Sequence, residues 1–173
     1  THYVQQLVRV SYENNQVRYI KDYINVLDNR WTHTLLAMEL LNQLNGSEKI
    51  FWIQQYSKMK LDESQFLFPQ TWNRIWIFWG FGIKNYNDLR NYGVEDPSKV
   101  CSYQPTLQDA LRQNIFSEYT RTMINKYVII RNFCSQKLSE SEKESLLPYS
   151  KDDVSCGFDN QEMKGLYQNL LEN

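Results

Sequence analysis

Three cysteines, Cys101, Cys134 and Cys156, are the side chains with the widest chemical reach in this sequence, and their spacing limits what they can do. None forms a Cys-x-x-Cys pair, so the zinc and dithiol-redox patterns are missing, and an odd number cannot pair fully within one chain. Two states stay open: three thiols in a reducing compartment, or one bridge and one spare. Cys134 follows Phe133 on an apolar helical pattern and reads as a small buried hydrophobe. Cys101 and Cys156 both fall in loop-like sequence, so a Cys101–Cys156 bridge is the expectation for an oxidising compartment. Asn45-Gly46-Ser47 fits the acceptor for an N-linked glycan, which matters for a secreted chain, and the same Asn-Gly pair reads equally well as a helix stop.

The remaining chemical vocabulary is thin. His2 and His33 are the two histidines, and neither sits in an HExxH or Cys/His spacing. A nucleophilic cysteine would need one of them brought close by folding. The phosphate-cradling GxxxxGK[ST] and GxGxxG patterns and the GxSxG elbow are absent, and Gly80-Phe81-Gly82 is a fragment with no third glycine. Glu140, Glu142, Glu144 and the pair Asp152-Asp153 read as solvated carboxylates, with no ExxH partner for a di-iron site and no EF-hand around them. No catalytic residue, metal or cofactor is therefore expected, and the chain is not read as an enzyme.

The 173 residues carry 19 basic and 20 acidic side chains, so no net field draws the protein to nucleic acid, and none is expected as a partner. Twelve Tyr, five Trp and eight Phe stand beside only six Gly and four Pro, which favours long elements. No run of about 18 apolar residues exists, so no conventional transmembrane helix is expected. The sequence opens Thr1-His2-Tyr3 without an initiator Met, in keeping either with a processed form that has lost a secretory or organellar presequence or with a trimmed chain.

Helical periodicity is written along most of the chain. Val10, Val17, Ile24, Trp31 and Met38 recur every seven residues, and Ile20, Leu27 and Leu41 fall between them. This predicts a long helix, or the first arm of a hairpin, over 1–60, with a second helix from Ser47 to about Lys60. Residues 84–105 carry turn formers and little periodicity, which predicts an irregular surface connection. From Thr106 to about Leu138, Leu107, Leu111, Ile115, Tyr119, Met123 and Tyr127 step by four, with Thr106 and Asp109 placed as a capping pair. Over 139–173 the sequence predicts a solvated SESEKES run stopped by Pro148, then a short docking helix from Asp159 to about Leu171. The fold class is mostly α, a single irregular helical domain of four to six helices with one long non-repetitive connection.

Within 64–83, TWNRIWIFWGFGI stands apart. Phe68, Trp72, Trp76, Trp79 and Ile83 draw one continuous helical face, and from Ile75 onward the segment is apolar in every direction. Such a segment must be surrounded by core, partner or lipid. Nine helical residues rise only about 14 Å against a hydrocarbon thickness of about 30 Å, so it does not span a membrane. Three tryptophans so close together favour a contact surface. Phe68, Trp72, Trp76, Trp79 and Phe81 are therefore the expected anchors to other protein subunits or to a membrane interface, and Leu166, Tyr167 and Leu170 a second docking point. The function expected is a non-catalytic accessory or scaffold subunit of a larger assembly, with an organellar (mitochondrial) membrane complex favoured. The alternatives are a secreted helical signalling or ligand-binding protein and, ranked last, an enzyme with an unrecognised site.

Overall fold

The computed structural model describes residues 44–58, 70–112, 117–150 and 160–173, and the side chains among them except those of 70–73 and 117–119. The described part is helical, with six α-helices, two 3₁₀ helices and no strand. The seam over 10–41 and Asp159, where the last helix is expected to begin, lie outside the described residues.

Helix α1 runs Gly46–Lys58, with Glu48 in its first turn and Lys58 in its last, each sign matching the end dipole it faces. Trp52, Ile53, Tyr56 and Ser57 form its buried face, and the Ser57 hydroxyl is satisfied by donating to the Ile53 carbonyl at 2.7 Å. Asn45-Gly46 stands at the start of this helix, with Gly46 in the left-handed region at φ 56°.

Helix α2 spans Gln70–Gly80. It stops in a Schellman closure: Gly82 adopts φ 90°, its N–H donates to the Trp79 carbonyl at 3.0 Å, and the Ile83 N–H donates to Phe78 at 3.0 Å. A side chain at Gly82 would force that strained conformation on a residue with a Cβ, and glycine supplies it freely.

The connection after α2 departs from the expectation of a surface-running loop. It folds into two 3₁₀ helices, Tyr86–Tyr92 and Pro97–Cys101, which push Leu89, Val94, Pro97 and Val100 into the interior. Asn85 caps the first, its side-chain oxygen accepting the Asp88 N–H at 3.1 Å, and Gly93 closes it at φ 79°. The Gln54 amide donates to the Tyr92 carbonyl at 2.8 Å and ties this turn to α1. Periodicity missed the segment because its buried residues come at steps of five, three and three, and Leu89, Pro97 and Val100 belong to short 3₁₀ turns with no α-helical or strand repeat.

Thr106 and Asp109 make the reciprocal cap expected of them, Asp109 N–H to Thr106 Oγ1 at 3.0 Å and Thr106 N–H to Asp109 Oδ2 at 3.2 Å. The helix they open is short, however: α3 covers Leu107–Arg112, and the long helix α4 covers Ser117–Phe133. Leu111, placed on the buried stripe by its spacing, is exposed. In α4 the buried set Met123, Ile124, Asn125, Tyr127, Val128, Ile129, Ile130 and Phe133 wraps the whole circumference, because α2, α3 and α6 all lie against it. Helix α4 ends with Ser135 at φ 53° and Gln136 N–H donating to the Arg131 carbonyl at 2.9 Å, the same closure as at Gly82 but with a residue that has a Cβ.

Helix α5 is Glu140–Ser150. Ser139 and Glu142 form its capping box, with Glu142 N–H to Ser139 Oγ at 3.2 Å and Ser139 N–H to Glu142 Oε1 at 3.3 Å. Pro148 does not end this helix, which continues to Ser150. The bond that a proline cannot donate would go to the carbonyl of Glu144, an exposed residue whose oxygen has water as a substitute. Helix α6, Asn160–Glu172, buries Met163, Tyr167 and Leu170 against α4.

Phe78 of α2 stands at the centre of the described core. Its ring meets Tyr56 of α1 edge-on at 5.5 Å and stacks with Phe133 of α4 at 6.5 Å. Rings in such pairs add about 0.5–1.5 kcal/mol beyond their area. One side chain therefore joins three helices, and it comes from the segment whose sequence suggested an outward surface.

Candidate functional site

Two features were open to chemical use: the aromatic segment and the cysteines. In the aromatic segment, Ile75, Ile77 and Phe78 are interior, Trp79 is 7% exposed, and Trp76 and Phe81 sit half-buried at the margin. Arg74 is also interior, its guanidinium donating to the Tyr56 carbonyl at 3.2 Å near the carboxy-terminal end of α1. A cation at that position satisfies an end carbonyl and complements the dipole.

Each ring at the edge of α2 lies beneath a lysine. The Lys84 ammonium is 3.8 Å from the Trp79 ring centroid, Lys126 of α4 is 4.6 Å from Trp76, and Lys49 of α1 is 5.2 Å from Phe81. Such contacts are worth about 0.5–2 kcal/mol, more where water is excluded. Lys84 also donates to the Trp79 carbonyl at 3.2 Å and pairs with Glu162 of α6 at 3.0 Å, which fastens the end of α2 to the last helix. Burial holds the Lys126 ammonium below the ordinary lysine range.

The second expected docking point is used inside the chain. Tyr167 and Leu170 are buried, and the Tyr167 hydroxyl donates to Asn125 Oδ1 at 3.0 Å across the α4–α6 interface. Leu166 is half-buried, and its carbonyl accepts from Asn132 Nδ2 at 3.1 Å. Phe68 lies outside the described residues, as does the side chain of Trp72. Reading Trp79, Tyr167 and Leu170 as outward anchors is thus corrected: the chain itself covers them, and a partner would reach them only by displacing α6 or Lys84. Trp76, Phe81 and Leu166 remain at the margin, where a partner has access.

A polar network that the sequence reading did not single out sits between α4 and α5. The Tyr127 hydroxyl donates to Glu142 Oε2 at 2.5 Å, and Arg131 reaches both, its Nε to Tyr127 at 3.2 Å and its terminal nitrogen to Glu142 at 3.4 Å. Burial and the bond to Glu142 push the Tyr127 hydroxyl well above its ordinary range. For Glu142, burial opposes ionisation, but Tyr127, the Ser139 N–H and hydroxyl and Arg131 outweigh it and hold the carboxyl below its usual value. Ser139-x-x-Glu142 was the signal in the sequence, a capping box hidden in a run read as solvated.

The cysteines give the clearest correction. The bridge joins Cys101 to Cys134, with Cα atoms 5.7 Å apart, and not to Cys156, which lies outside the described residues. Cys134 is indeed buried, at 4% exposure, but as a bonded sulfur. The second 3₁₀ helix inserts Val100 into the interior and so delivers the next residue to the end of α4. A connection read as running over the surface offered no reason to bring them together.

Among the described residues no group of three or more His, Cys, Asp or Glu is placed to hold a metal ion, and no helix is long and apolar enough to cross a membrane. Fold and site together define a mostly helical, disulfide-bridged protein with an internal aromatic helix. Compared with known protein families, curated proteins and solved structures, the chain matches none.

Proposed function

We propose that this chain is a non-catalytic helical protein of an oxidising compartment that works by binding, as a secreted or lumenal signalling or ligand-binding protein. The observation that carries the reading is the Cys101–Cys134 bridge, closed between the interior 3₁₀ helix and the end of α4. Disulfides persist in secreted and lumenal proteins and are rare where glutathione keeps thiols reduced. The internal position of Trp79 and Phe78 supports it too, since the aromatic helix then has a structural use that requires no membrane or partner.

A second reading, an accessory or scaffold subunit of a larger assembly such as an organellar (mitochondrial) membrane complex, draws its support from Trp76, Phe81 and Leu166 at the margin of the core. Other protein subunits or a lipid interface would be the partners. Native material extracted in mild detergent separates the two. A bridged species travelling alone as a single chain favours the first, and a large assembly that loses the chain on Trp76→Ala favours the second. Three free thiols in the native protein would overturn the oxidising-compartment reading.

A further inference from the structure

We propose that Asn45 carries an N-linked glycan, an inference that rests on the oxidising-compartment reading above. Asn45-Gly46-Ser47 is the one place in the chain where an Asn is followed two positions later by Ser or Thr with no proline between. The structure gives this triplet the placement that such a modification needs. Leu44 is buried at 2% exposure, whereas Asn45, Gly46 and Ser47 are all exposed, so the chain leaves the core immediately before the acceptor. Gly46 holds the left-handed conformation, and a Cβ built there would meet nothing within 4 Å, so the middle of the triplet stands in open space. Asn45 itself precedes the first residue of α1.

The second, independent observation is the Cys101–Cys134 bond. Cys134 is nearly inaccessible in the folded chain, so an oxidant must act before or while the core closes. Folding therefore takes place in an oxidising lumen, and in the secretory pathway that lumen is also where glycan transfer occurs. In that step the Asn45 side-chain nitrogen forms a bond to the anomeric carbon of an oligosaccharide held on a lipid pyrophosphate. The bond from that carbon to the pyrophosphate oxygen breaks, the lipid pyrophosphate leaves, and the amide loses one proton to a base of the transferase. No oxidant or reductant is consumed. Ile50 and Phe51, 40% and 43% exposed, follow within two turns on the same helix, about 8–9 Å along its axis, where a bulky hydrated glycan improves solubility.

The test is the mass of native protein taken from its source, with the glycopeptide containing Asn45 read directly, because Asn-Gly also deamidates spontaneously. A peptide heavier by a hexose and N-acetylhexosamine series, collapsing to the sequence mass plus a deamidation on amidase treatment, is the expected result. The same host producing Asn45→Gln or Ser47→Ala should give complete loss of the added mass, and Ser47→Thr should retain it. These positions are exposed, so folding is read independently by the persistence of the bridge. A bridged protein with Asn45 unmodified overturns the glycan while leaving the compartment reading intact. Unmodified Asn45 together with three free thiols overturns both.

Discussion

Reduction of the Cys101–Cys134 bond offers a measurement whose size follows from chain geometry. The bridge closes a loop with a sequence separation of 33 residues. Removing loop-closure entropy from the unfolded chain, at 2.1 plus 1.5R ln n cal/mol/K, comes to about 3.7 kcal/mol at room temperature. For a chain of 173 residues the unfolding entropy is about 0.36 kcal/mol/K, so reduction should lower Tm by about 10 °C. Urea titration of oxidised and fully reduced protein, followed by helical circular dichroism, should show midpoints separated by roughly 2 M for a slope near 2 kcal/mol/M. Thiol counting gives a companion readout: denatured without reductant, each chain should expose one free thiol, since two of its three cysteines are bonded. Coincident midpoints would refute the argument that the bond constrains a long loop. Three thiols would refute the bond itself.

Other residues give equally direct expectations. Phe78→Ala removes the ring shared by Tyr56 and Phe133 at full burial and should cost about 3–5 kcal/mol in urea unfolding; a loss below about 1 kcal/mol would show that α2 is not central. Ser135→Gly relieves a left-handed residue at the end of α4 and should stabilise by about 1 kcal/mol, whereas a loss of stability would mean the hydroxyl matters more than the backbone. Because the Glu142 carboxyl is held below its unfolded value, its contribution is present above the ordinary carboxylate range and is lost as pH falls through the folded value. The stability of the native chain over Glu142→Gln should therefore shrink as pH falls through and below the ordinary carboxylate range, and a difference that stays constant over that fall would contradict an ionised Glu142 in the network.

What could be read from the sequence was whatever a single local rule determines. The Thr106–Asp109 cap, the body of α1 and the register of α6 follow from cap chemistry and spacing by three and four, and all three appear where those rules put them. The end of α2 was not legible: the face drawn through Ile83 runs past it, because the helix stops at Gly80 and Gly82 takes the left-handed conformation that closes it. The pairing of Cys101 with Cys134 was not, because it depends on how the 84–105 segment packs, and short 3₁₀ turns leave no periodic trace. The aromatic segment was legible as something that must be surrounded. Whether its own chain or a partner does the surrounding depends on which side chains come from elsewhere, here Tyr56, Phe133 and the lysines at 49, 84 and 126.

The bond between Cys101 and Cys134 also sets an order of events during synthesis. Of the three cysteines in this sequence, Cys101 and Cys134 leave the ribosome before Cys156, which follows 22 residues later. At about 5–20 residues per second that delay is roughly 1–4 s, in which the Cys101 and Cys134 thiols can meet before Cys156 is made. Consecutive pairing is thus favoured by timing as well as by the final packing. A variant in which the end of α4 that bonds Cys101 were made after the Cys156 segment would lose that head start, and its maturation would depend on an isomerase to undo bonds made in the wrong sequence.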